Sequence, residues 1–374
     1  MKNNNKKKIF ICATEQSGDN IGSKIIKELK KEKTNIIIDG VGGFSMKSFQ
    51  RNQIYSLKEF KSIGIIEVLF SLLKYLRMIN IISNYIIKNN YDLIITIDSP
   101  DFNYPLIKKL RKKKYKGKII QIVAPSVWAW RANRAKKFAE VFDEIYTLFP
   151  FENKFFEKYN LKSTYIGHPI FDIKKLTKVS KNNKIIAFLP GSRLGEINKL
   201  FKYFELAYEY LILHKSKYII LIPTLPHLEK EIKSKTKNWK IKTIVTTDNK
   251  KIEKLFLKTK IALVCSGTAS LEIAKRNIPQ LILYKLNYIT EIIINCFIKI
   301  KFANIINILE QRMIIPELLN SKLKNEIFLK KFKKLLLDES ANKKQIKEIN
   351  KVLKNIELSR SPYKIAVHSI KKYL

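Results

Sequence analysis

Apolar and polar positions alternate along this chain with two different periods. Short apolar runs predict strands over 8–13, 36–41, 91–98, 118–123 and 144–148, and then over 185–189, 218–223, 242–246, 261–264 and 280–284. Stretches with helical spacing, the first over 22–31, separate them, which predicts the crossovers of an α/β fold with parallel sheets. The pattern restarts after Gly167-His168-Pro169, so we expect two domains, over 1–166 and 167–358, and a helical tail over 359–374.

The segment 63–87 departs from this alternation because it is apolar on nearly every side and is interrupted by Lys74 and Arg77. One interpretation is a pair of core helices. The other, which we favour, is an interfacial element whose apolar face enters lipid while its basic residues meet the headgroups. No uncharged stretch reaches the ~18 residues that span a bilayer, and the apolar run at 9–13 is too short for a signal peptide, so we expect neither feature.

The chain carries 73 lysines and arginines against 32 aspartates and glutamates, a formal net charge of +41. Since the lysines are spread over the whole length, we attribute most of the excess to an AT-rich coding sequence, but it still predicts attraction to anionic surfaces. A basic nucleic-acid-binding protein is an alternative. The diffuse charge and the lack of a nucleic-acid-binding motif argue against it.

Cysteines and histidines show no paired or clustered spacing, so we expect a reducing compartment, no disulfide framework and no metal site.

The segment 123–134 holds Trp128 and Trp130, two of the three tryptophans, followed by Arg131 and Arg134. Arginine is rare in this lysine-rich chain, and its planar fork grips a phosphate or carboxylate with two hydrogen bonds. The pattern therefore indicates an anion site beside a rigid aromatic wall. The alternative is a buried tryptophan pair with solvated arginines.

Ligands of open α/β sheets bind at the carboxyl ends of the strands, where two unusual turns of the first domain lie. The turn after the first strand holds Ser17, Gly18 and Asp19, whose small residues allow close backbone approach while helix N-terminal amides attract anions. A helix cap by Ser17 or Asp19 explains the same residues. The third strand ends at Asp98, with Asp101 three residues later; we predict Asp98 as a general base, with a helix cap as the alternative.

Two turns of the second domain have the composition of a diphosphate site. Each follows a strand and opens a helix, so that small residues, backbone amides and a hydroxyl or an arginine meet a phosphate. A glutamate one turn into the second helix has the position to accept from a ribose hydroxyl pair. Capped helix starts explain either turn alone, but the two together predict nucleotide-diphosphate binding by Gly191, Ser192, Arg193, Ser266, Gly267, Thr268, Ala269 and Glu272.

The motifs occur in an order that resembles the lipid-A-disaccharide synthase family. Two positions depart from its pattern, because Thr14 stands where glycine is usual and Ile306 stands where proline is usual. The matching stretches span essentially the whole chain and are Glu15-x-Ser17-Gly18-Asp19, Asp98-x-Pro100-Asp101-Phe102-Asn103, Pro125-Ser126-Val127-Trp128-Ala129-Trp130-Arg131, Gly167-His168-Pro169, Leu189-Pro190-Gly191-Ser192-Arg193, Ser266-Gly267-Thr268-Ala269, Asn307 and Pro316-Glu317-Leu318-Leu319.

The resemblance implies a GT-B fold, in which two Rossmann-like domains face a cleft and the C-terminal helix crosses back to the first domain. It implies an inverting glycosyltransferase that condenses UDP-diacylglucosamine with diacylglucosamine 1-phosphate to give the lipid A disaccharide 1-phosphate and UDP, without a metal or other cofactor. Asp98 matches the family's candidate for the catalytic base, and Glu15 is the second candidate. The implied donor ligands further include Asn307 and Glu317, and the implied acceptor ligands are Ser17, Gly18, Asp19, Asn103, Trp128, Arg131 and Arg134.

A second enzymatic hypothesis is another GT-B enzyme, such as a UDP-GlcNAc transferase or 2-epimerase, against which the Trp-Ala-Trp-Arg stretch argues. Under the first hypothesis we expect a cytoplasmic protein held peripherally at the inner face of the bacterial inner membrane. Its partners would be the two acylated sugars and the anionic membrane surface, and not nucleic acid. A homodimer, the preferred acyl-chain length and the effect of the two departures stay open.

Overall fold

The computed structural model of the chain describes residues 6–32, 35–60, 68–173, 184–286 and 301–374, with the backbone alone for 68–72. These residues form the predicted α/β fold and divide into two compact units. One unit combines Met1–Asp172 with Leu358–Leu374, and the other is Ile173–Glu357. The division falls after Asp172 and not at 166, because the 3-10 helix Pro169–Asp172 packs against the C-terminal helix of the first unit.

The first unit contains a parallel sheet with the strand order β3-β2-β1-β4-β5-β6-β7. The order reverses between β1 and β4, and their carboxyl ends are adjacent because Ala13 pairs with Ile97. Such a reversal opens a crevice in which α/β proteins bind ligands. The strands are β1 (Lys7–Ala13), β2 (Ile36–Gly42), β3 (Asn52–Ser56), β4 (Leu93–Ile97), β5 (Lys118–Ile122), β6 (Glu144–Thr147) and β7 (Lys162–Tyr165).

Helices cover both faces of this sheet, because successive strand side chains point to opposite sides. Ile9 and Ile11 pack with α1 and the C-terminal helix, whereas Phe10 and Cys12 pack with α3, α4 and α5. Burying each such side chain contributes about 1.5–3 kcal/mol. The helices are α1 (Gln16–Glu32), α2 (Phe44–Lys47), α3 (Val68–Asn89), α4 (Pro100–Lys112), α5 (Arg134–Ala139) and α6 (Asn153–Glu157), with 3-10 helices at Leu57–Phe60 and Pro150–Glu152.

The second unit repeats this plan with the strand order β10-β9-β8-β11-β12-β13. Here the order reverses between β8 and β11, where Leu189 pairs with Val264. The strands are β8 (Ile185–Leu189), β9 (Ile219–Pro223), β10 (Thr243–Thr246), β11 (Thr259–Cys265), β12 (Gln280–Tyr284) and β13 (Glu317–Leu319). The helices are α7 (Leu194–Leu213), α8 (Glu229–Lys235), α9 (Asn249–Phe256), α10 (Thr268–Lys275), α11 (Ile305–Glu310), α12 (Asn325–Leu337) and α13 (Glu339–Ile356), with a 3-10 helix at Asn320–Lys322.

After the second unit the chain returns to the first, where the helix α14 (Pro362–Ile370) and the 3-10 helix Lys371–Tyr373 pack. Tyr363 and Val367 join the core beneath α1. The fully buried carboxylate of Glu144 on β6 accepts hydrogen bonds from the hydroxyls of Tyr373, at 2.5 Å, and Ser369, at 3.3 Å. The predicted tail is thus an integral part of the first unit.

Three strands are absent from the sequence prediction, and the first helix begins earlier than predicted. The edge strands β3 and β7 were not predicted because their side chains are polar and only half buried, and β13 is only three residues long. Helix α1 begins at Gln16 and not at 22, so the predicted turn at Ser17–Asp19 is already helical.

Helix α3 coincides with most of the segment interpreted as interfacial, of which residues 63–67 lie outside the described part. Its later turns belong to the core, where Met78 and Ile82 are buried. Its earlier turns expose Leu73 by 63% and Leu76 by 51%. Within the described residues, every helix is too short or too polar to cross a membrane.

Candidate active site

Asp98 directly follows β4, at the reversal of strand order in the first sheet. Its Oδ1 accepts a hydrogen bond from the Ser99 amide at 2.9 Å, and its Oδ2 accepts one from the Ser17 hydroxyl at 3.0 Å. The side chain is half-buried, and the backbone is left-handed at both Asp98 (φ 56°) and Ser99 (φ 45°). A carboxylate fixed through both oxygens at a strand end has the placement of a general base.

The first turn of α1 brings Ser17 to Asp98, and Gly18 makes this approach feasible. A Cβ on Gly18 would lie 3.2 Å from both the Ile97 carbonyl oxygen and the Ala13 Cβ. Glu15 is exposed and precedes the helix, where its carbonyl oxygen accepts from the Asp19 amide at 2.9 Å.

Asp19 is fully buried, and it caps a different helix from the one predicted. Its carboxylate accepts hydrogen bonds from the amides of Gly43 at 2.7 Å, Ser45 at 2.9 Å and Met46 at 3.1 Å, which open α2. Asn103 is also fully buried, and its amide donates to the Asp98 carbonyl at 2.7 Å. Both side chains therefore support the site from beneath it.

Trp128 is held in place by a buried carboxylate. The indole N–H donates to Oε1 of Glu152 at 3.0 Å, while Oε2 accepts from the amides of Leu148 and Phe149, each at 3.0 Å. Burial raises the pKa of Glu152 to about 7, against the opposing effect of these donors. Glu152 ends the 3-10 helix Pro150–Glu152 and is not among the site residues predicted from the sequence.

The two arginines of the same loop share one carboxylate. Arg131 pairs with Asp101 at 3.3 Å and Arg134 pairs with the same oxygen. Both guanidinium groups lie over the Trp130 ring, at 4.1 and 5.5 Å from its centroid. A pocket of about 530 Å³ opens beside them and is also lined by Tyr104, Lys137 and Phe138. The expected combination of arginine and aromatic wall is present, but the wall is Trp130, whereas Trp128 is tied to Glu152.

The two glycine turns of the second unit lie side by side at the ends of β8 and β11. Gly191 (φ 113°) and Gly267 (φ 150°) have backbone conformations that favour glycine. Arg193 is the N-cap residue before α7; 81% of its side chain is exposed, and it reaches Glu196 at 3.4 Å. The turn Ser266-Gly267 opens α10, in which Thr268 and Ala269 form the first positions and Glu272 is half-exposed beside Arg276.

Asn307 and Glu317 meet each other inside the second unit. The Asn307 amide donates to Glu317 Oε1 at 2.6 Å, and its Oδ1 accepts from the amides of Ile314 and Ile315. Glu317 also accepts from the amide of Asn304 at 2.9 Å. Both side chains are buried, so they hold the loop before β13 in position.

The two departures from the family pattern have different surroundings. Thr14 is buried directly after β1. The amide of Ile306 donates to the side chain of Asn304 at 2.9 Å, which caps α11. Proline has no N–H for this bond, so isoleucine permits a cap that proline would remove.

Acidic, histidine and cysteine side chains do not gather into a group of three or more that could hold a metal ion in the described ranges. His168 is buried and its Nδ1 accepts from the Ile170 amide at 3.1 Å. Burial lowers the pKa of His168 to about 4.

Comparison with known proteins decides the family. Residues 9–369 match the family model described as Lipid-A-disaccharide synthetase. The lipid-A-disaccharide synthase of Rickettsia bellii (strain OSU 85-389) is 34% identical, with 96% of each chain covered. That of Rickettsia canadensis (strain McKiel) is 35% identical, covering 98% of this chain and 97% of the relative.

The chain belongs to the lipid-A-disaccharide synthase family. It is therefore a glycosyltransferase of lipid A disaccharide synthesis, as the sequence predicted. The nucleic-acid-binding and epimerase alternatives fall away, since the family match covers both units.

Solved structures of other proteins share the fold of this chain. The "S. aureus MnaA-UDP co-structure" has a TM-score of 0.61 at 14% identity and covers 98% of this chain and 95% of that one. Acinetobacter baumannii MurG has a TM-score of 0.60 at 12% identity, covering 98% and 99%. At such identities these likenesses concern the fold alone, and they confirm the predicted GT-B class.

Proposed function

We propose that the chain transfers diacylglucosamine from UDP to the 6-hydroxyl of diacylglucosamine 1-phosphate by a single inverting displacement. The acceptor oxygen forms a bond to the anomeric carbon while the bond from that carbon to the UDP oxygen breaks. The electron pair of the broken bond leaves with UDP, and the hydroxyl proton passes to an enzyme base. The observation that carries the assignment of the base is the fixed Ser17–Asp98 pair at the first-unit reversal point.

Asp98 is our candidate for the base, and Glu15 is the second. Asp98 is half-buried, and both of its oxygens accept hydrogen bonds, so its orientation is set before a substrate arrives. Ser17 lies at the same spot and is exposed, which suits contact with the acceptor sugar. Gly18, Asp19 and Asn103 act by shaping this edge.

The acceptor phosphate is proposed to bind at Arg131 and Arg134. In the described structure Asp101 occupies the position of an anion between them, and it is itself 73% exposed. A phosphate dianion carries more charge than a carboxylate and suits the arginine fork, so it would displace Asp101. Both guanidinium groups lie over the ring of Trp130, and Trp128 fixes the loop through Glu152.

The donor is proposed to bind the two turns of the second unit. Backbone amides at the starts of α7 and α10 suit the diphosphate, with Arg193 adding charge and Glu272 reaching the ribose. The proposed ligands are Gly191, Ser192, Arg193, Ser266, Gly267, Thr268, Ala269 and Glu272, with Asn307 of α11 and Glu317 of β13 in a supporting role.

The test is transfer between defined substrates. The purified chain is incubated with UDP-diacylglucosamine and diacylglucosamine 1-phosphate, and disaccharide and UDP are measured by mass spectrometry. The double variant Arg131→Ala/Arg134→Ala should raise the acceptor KM about tenfold or more while leaving the donor KM unchanged. Arg111→Ala, which removes an arginine paired with Asp143 in the same unit, is the control for charge and stability. Equal acceptor KM values for the double variant and the wild type would refute the phosphate site.

We further propose peripheral binding to the inner face of the inner membrane through the early turns of α3. Leu73 and Leu76 are exposed, and helical spacing places them on one side together with Lys74 and Arg77. The apolar side chains suit insertion below the headgroups, and the basic ones suit anionic lipid.

Vesicles containing anionic lipid provide the test of membrane binding. Leu73→Ser/Leu76→Ser should abolish the part of binding that survives salt, because apolar insertion is not screened over the ~10 Å that applies to surface charge at 0.1 M. Ile212→Ser/Leu213→Ser, an exposed apolar pair on α7, is the matched control and should bind as the wild type does. Loss of binding in both pairs, or in neither, would contradict the assignment to α3.

A further inference from the structure

Gln121 is a fully buried polar residue in β5, where the other buried residues are all isoleucines. Its amide nitrogen faces three carbonyl oxygens: that of Asp98 at 3.1 Å, that of Ile122 at 3.0 Å and that of Val123 at 3.1 Å. One side chain thus bonds to the ends of two neighbouring strands, β4 and β5.

Both strand ends have unfavourable backbone conformations. Asp98 and Ser99 are left-handed at φ 56° and 45°, and Val123, whose branched side chain makes this conformation unusual, is left-handed at φ 67°. Such conformations persist only where surrounding contacts enforce them. Gln121 bonds to the carbonyl of one such residue on each strand, and Asn103 adds a second bond to the Asp98 carbonyl at 2.7 Å.

The orientation of the Gln121 amide is itself fixed. The hydroxyl of Thr96, its pairing partner on β4, donates to Oε1 of Gln121 at 2.6 Å, so the nitrogen must face the three carbonyls. A carboxylate in this position would face those oxygens without a proton to donate, which explains the need for an amide.

We propose that Gln121 is a positioning residue for the reaction: it holds Asp98 in its left-handed conformation and couples it to the loop that begins at Val123 and carries Arg131 and Arg134. This rests on the proposed role of Asp98. Gln121 is buried and acts only through the backbone that it holds. Its loss should therefore lower kcat and leave donor binding in the second unit unchanged.

The experiment compares four substitutions by steady-state kinetics, in which the donor is varied while the acceptor is saturating. Gln121→Met preserves the volume and removes the donor, and kcat should fall about 10- to 100-fold with the donor KM within twofold of the wild type. Thr96→Val should lower kcat several-fold, and Thr96→Ser, which keeps the hydroxyl, should restore it. Gln345→Met, which removes another buried amide that bonds to the first residue of β12, is the matched control and should keep wild-type kcat.

A double-mutant cycle with Asp98→Asn distinguishes an effect of Gln121 on the position of Asp98 from an effect on the stability of the whole unit. If Gln121 acts through Asp98, then Gln121→Met should cost less than about threefold further in the Asp98→Asn background. A full multiplicative loss there, an equal loss in Gln345→Met, or wild-type kcat in Gln121→Met would each overturn the proposal. If Gln121→Met melts early, the Thr96→Val and Thr96→Ser pair decides, because both keep the glutamine. Wild-type activity of Asp98→Asn alone would instead refute the proposed base, and the inference with it.

Discussion

The two candidate sites lie at the carboxyl ends of the strands, and we call them the first edge (Ser17, Asp98, Arg131 and Arg134) and the second edge (the turns at Gly191 and Gly267). Their sheets share the same strand order around the reversal point. The two edges differ in how many of their side chains are already hydrogen-bonded or ion-paired. At the first edge Ser17 bonds to Asp98, and Asp101 pairs with Arg131 and Arg134. At the second edge the glycine turns present backbone, and Arg193 is 81% exposed. The difference suits the proposed chemistry, in which the base is oriented before the acceptor arrives and the charge of the bound diphosphate completes the donor site.

The largest expected effect comes from a substitution at the first edge that leaves the second edge unchanged. Asp98→Asn should lower kcat on the order of 100- to 10,000-fold because the proton acceptor is lost, while UDP affinity measured by titration stays unchanged. Asp92→Asn, a change to an exposed carboxylate at the other end of β4, is the control and should retain activity. Turnover of Asp98→Asn within a few-fold of the wild type would remove Asp98 from the mechanism.

The second prediction concerns the buried carboxylate behind the first edge. Because the folded pKa of Glu152 is raised to about 7, the folded chain holds a proton that the unfolded chain releases above pH 4.5. This contribution to the free energy of unfolding is present at low pH and is lost as the pH rises to about 7. The advantage of the wild type over Glu152→Gln should therefore grow by up to about 3 kcal/mol between pH 7 and pH 4.5.

Denaturant unfolding at several pH values measures this difference. His168, whose pKa is lowered to about 4, contributes with the opposite sign in the same range, but it is present in both proteins and cancels. Glu140→Gln, which changes an exposed carboxylate of the same unit, is the control. A pH dependence no different from that of the control would mean that Glu152 is ionised in the folded state.

The third prediction tests whether the second edge depends on its backbone. In Gly191→Ala the new Cβ would lie 2.7 Å from Oε2 of Glu196 and 3.2 Å from the sulfur of Cys265, at a φ of 113°. The turn must shift, and donor affinity should fall about tenfold or more. Gly195→Ala adds a Cβ that meets nothing within 4 Å and should bind donor normally. Equal Kd values for both variants would show that the Gly191 turn does not contact the donor.

The smallest expected effect comes from substituting Arg193, a largely exposed side chain of the second edge. Arg193→Ala should weaken donor binding by about tenfold, and Arg193→Lys should recover only part of it, because lysine keeps the charge but loses the fork. Arg312→Ala, in the same unit and paired with Glu348, is the control. If all three Arg193 proteins bind donor equally in a titration, Arg193 is an ordinary surface residue.

Regular periodicity made most of the fold predictable from the sequence. The buried central strands, such as β1 and β4, are mostly apolar, as is typical of parallel sheets covered on both faces. The edge strands β3 and β7 lack an apolar run because their side chains are partly exposed to solvent. The start of α1 was misplaced because Ser17, Gly18 and Asp19 favour turns in isolation, whereas here they are helical.

Candidate site residues were predictable where the residue type itself indicates a function. They were not predictable where a role depends on groups that only the folded chain brings together. Arg131 and Arg134 stood out by residue type, and the structure brings them together on Asp101. The role of Gln121 arises from three carbonyl groups that only the folded sheet assembles, although a lone polar residue in a buried strand is a signal that it has partners.

The return of the chain to the first unit has a consequence for how the protein is made. Residues 358–374 are synthesised after all of Ile173–Glu357, yet they cover the core beneath α1 and supply two donors to Glu144. Until they emerge from the ribosome, the nascent first unit has an apolar face open to water and a buried carboxylate short of partners. The first unit therefore cannot be completed until the second unit has been synthesised, and the same holds for the candidate edge that it carries.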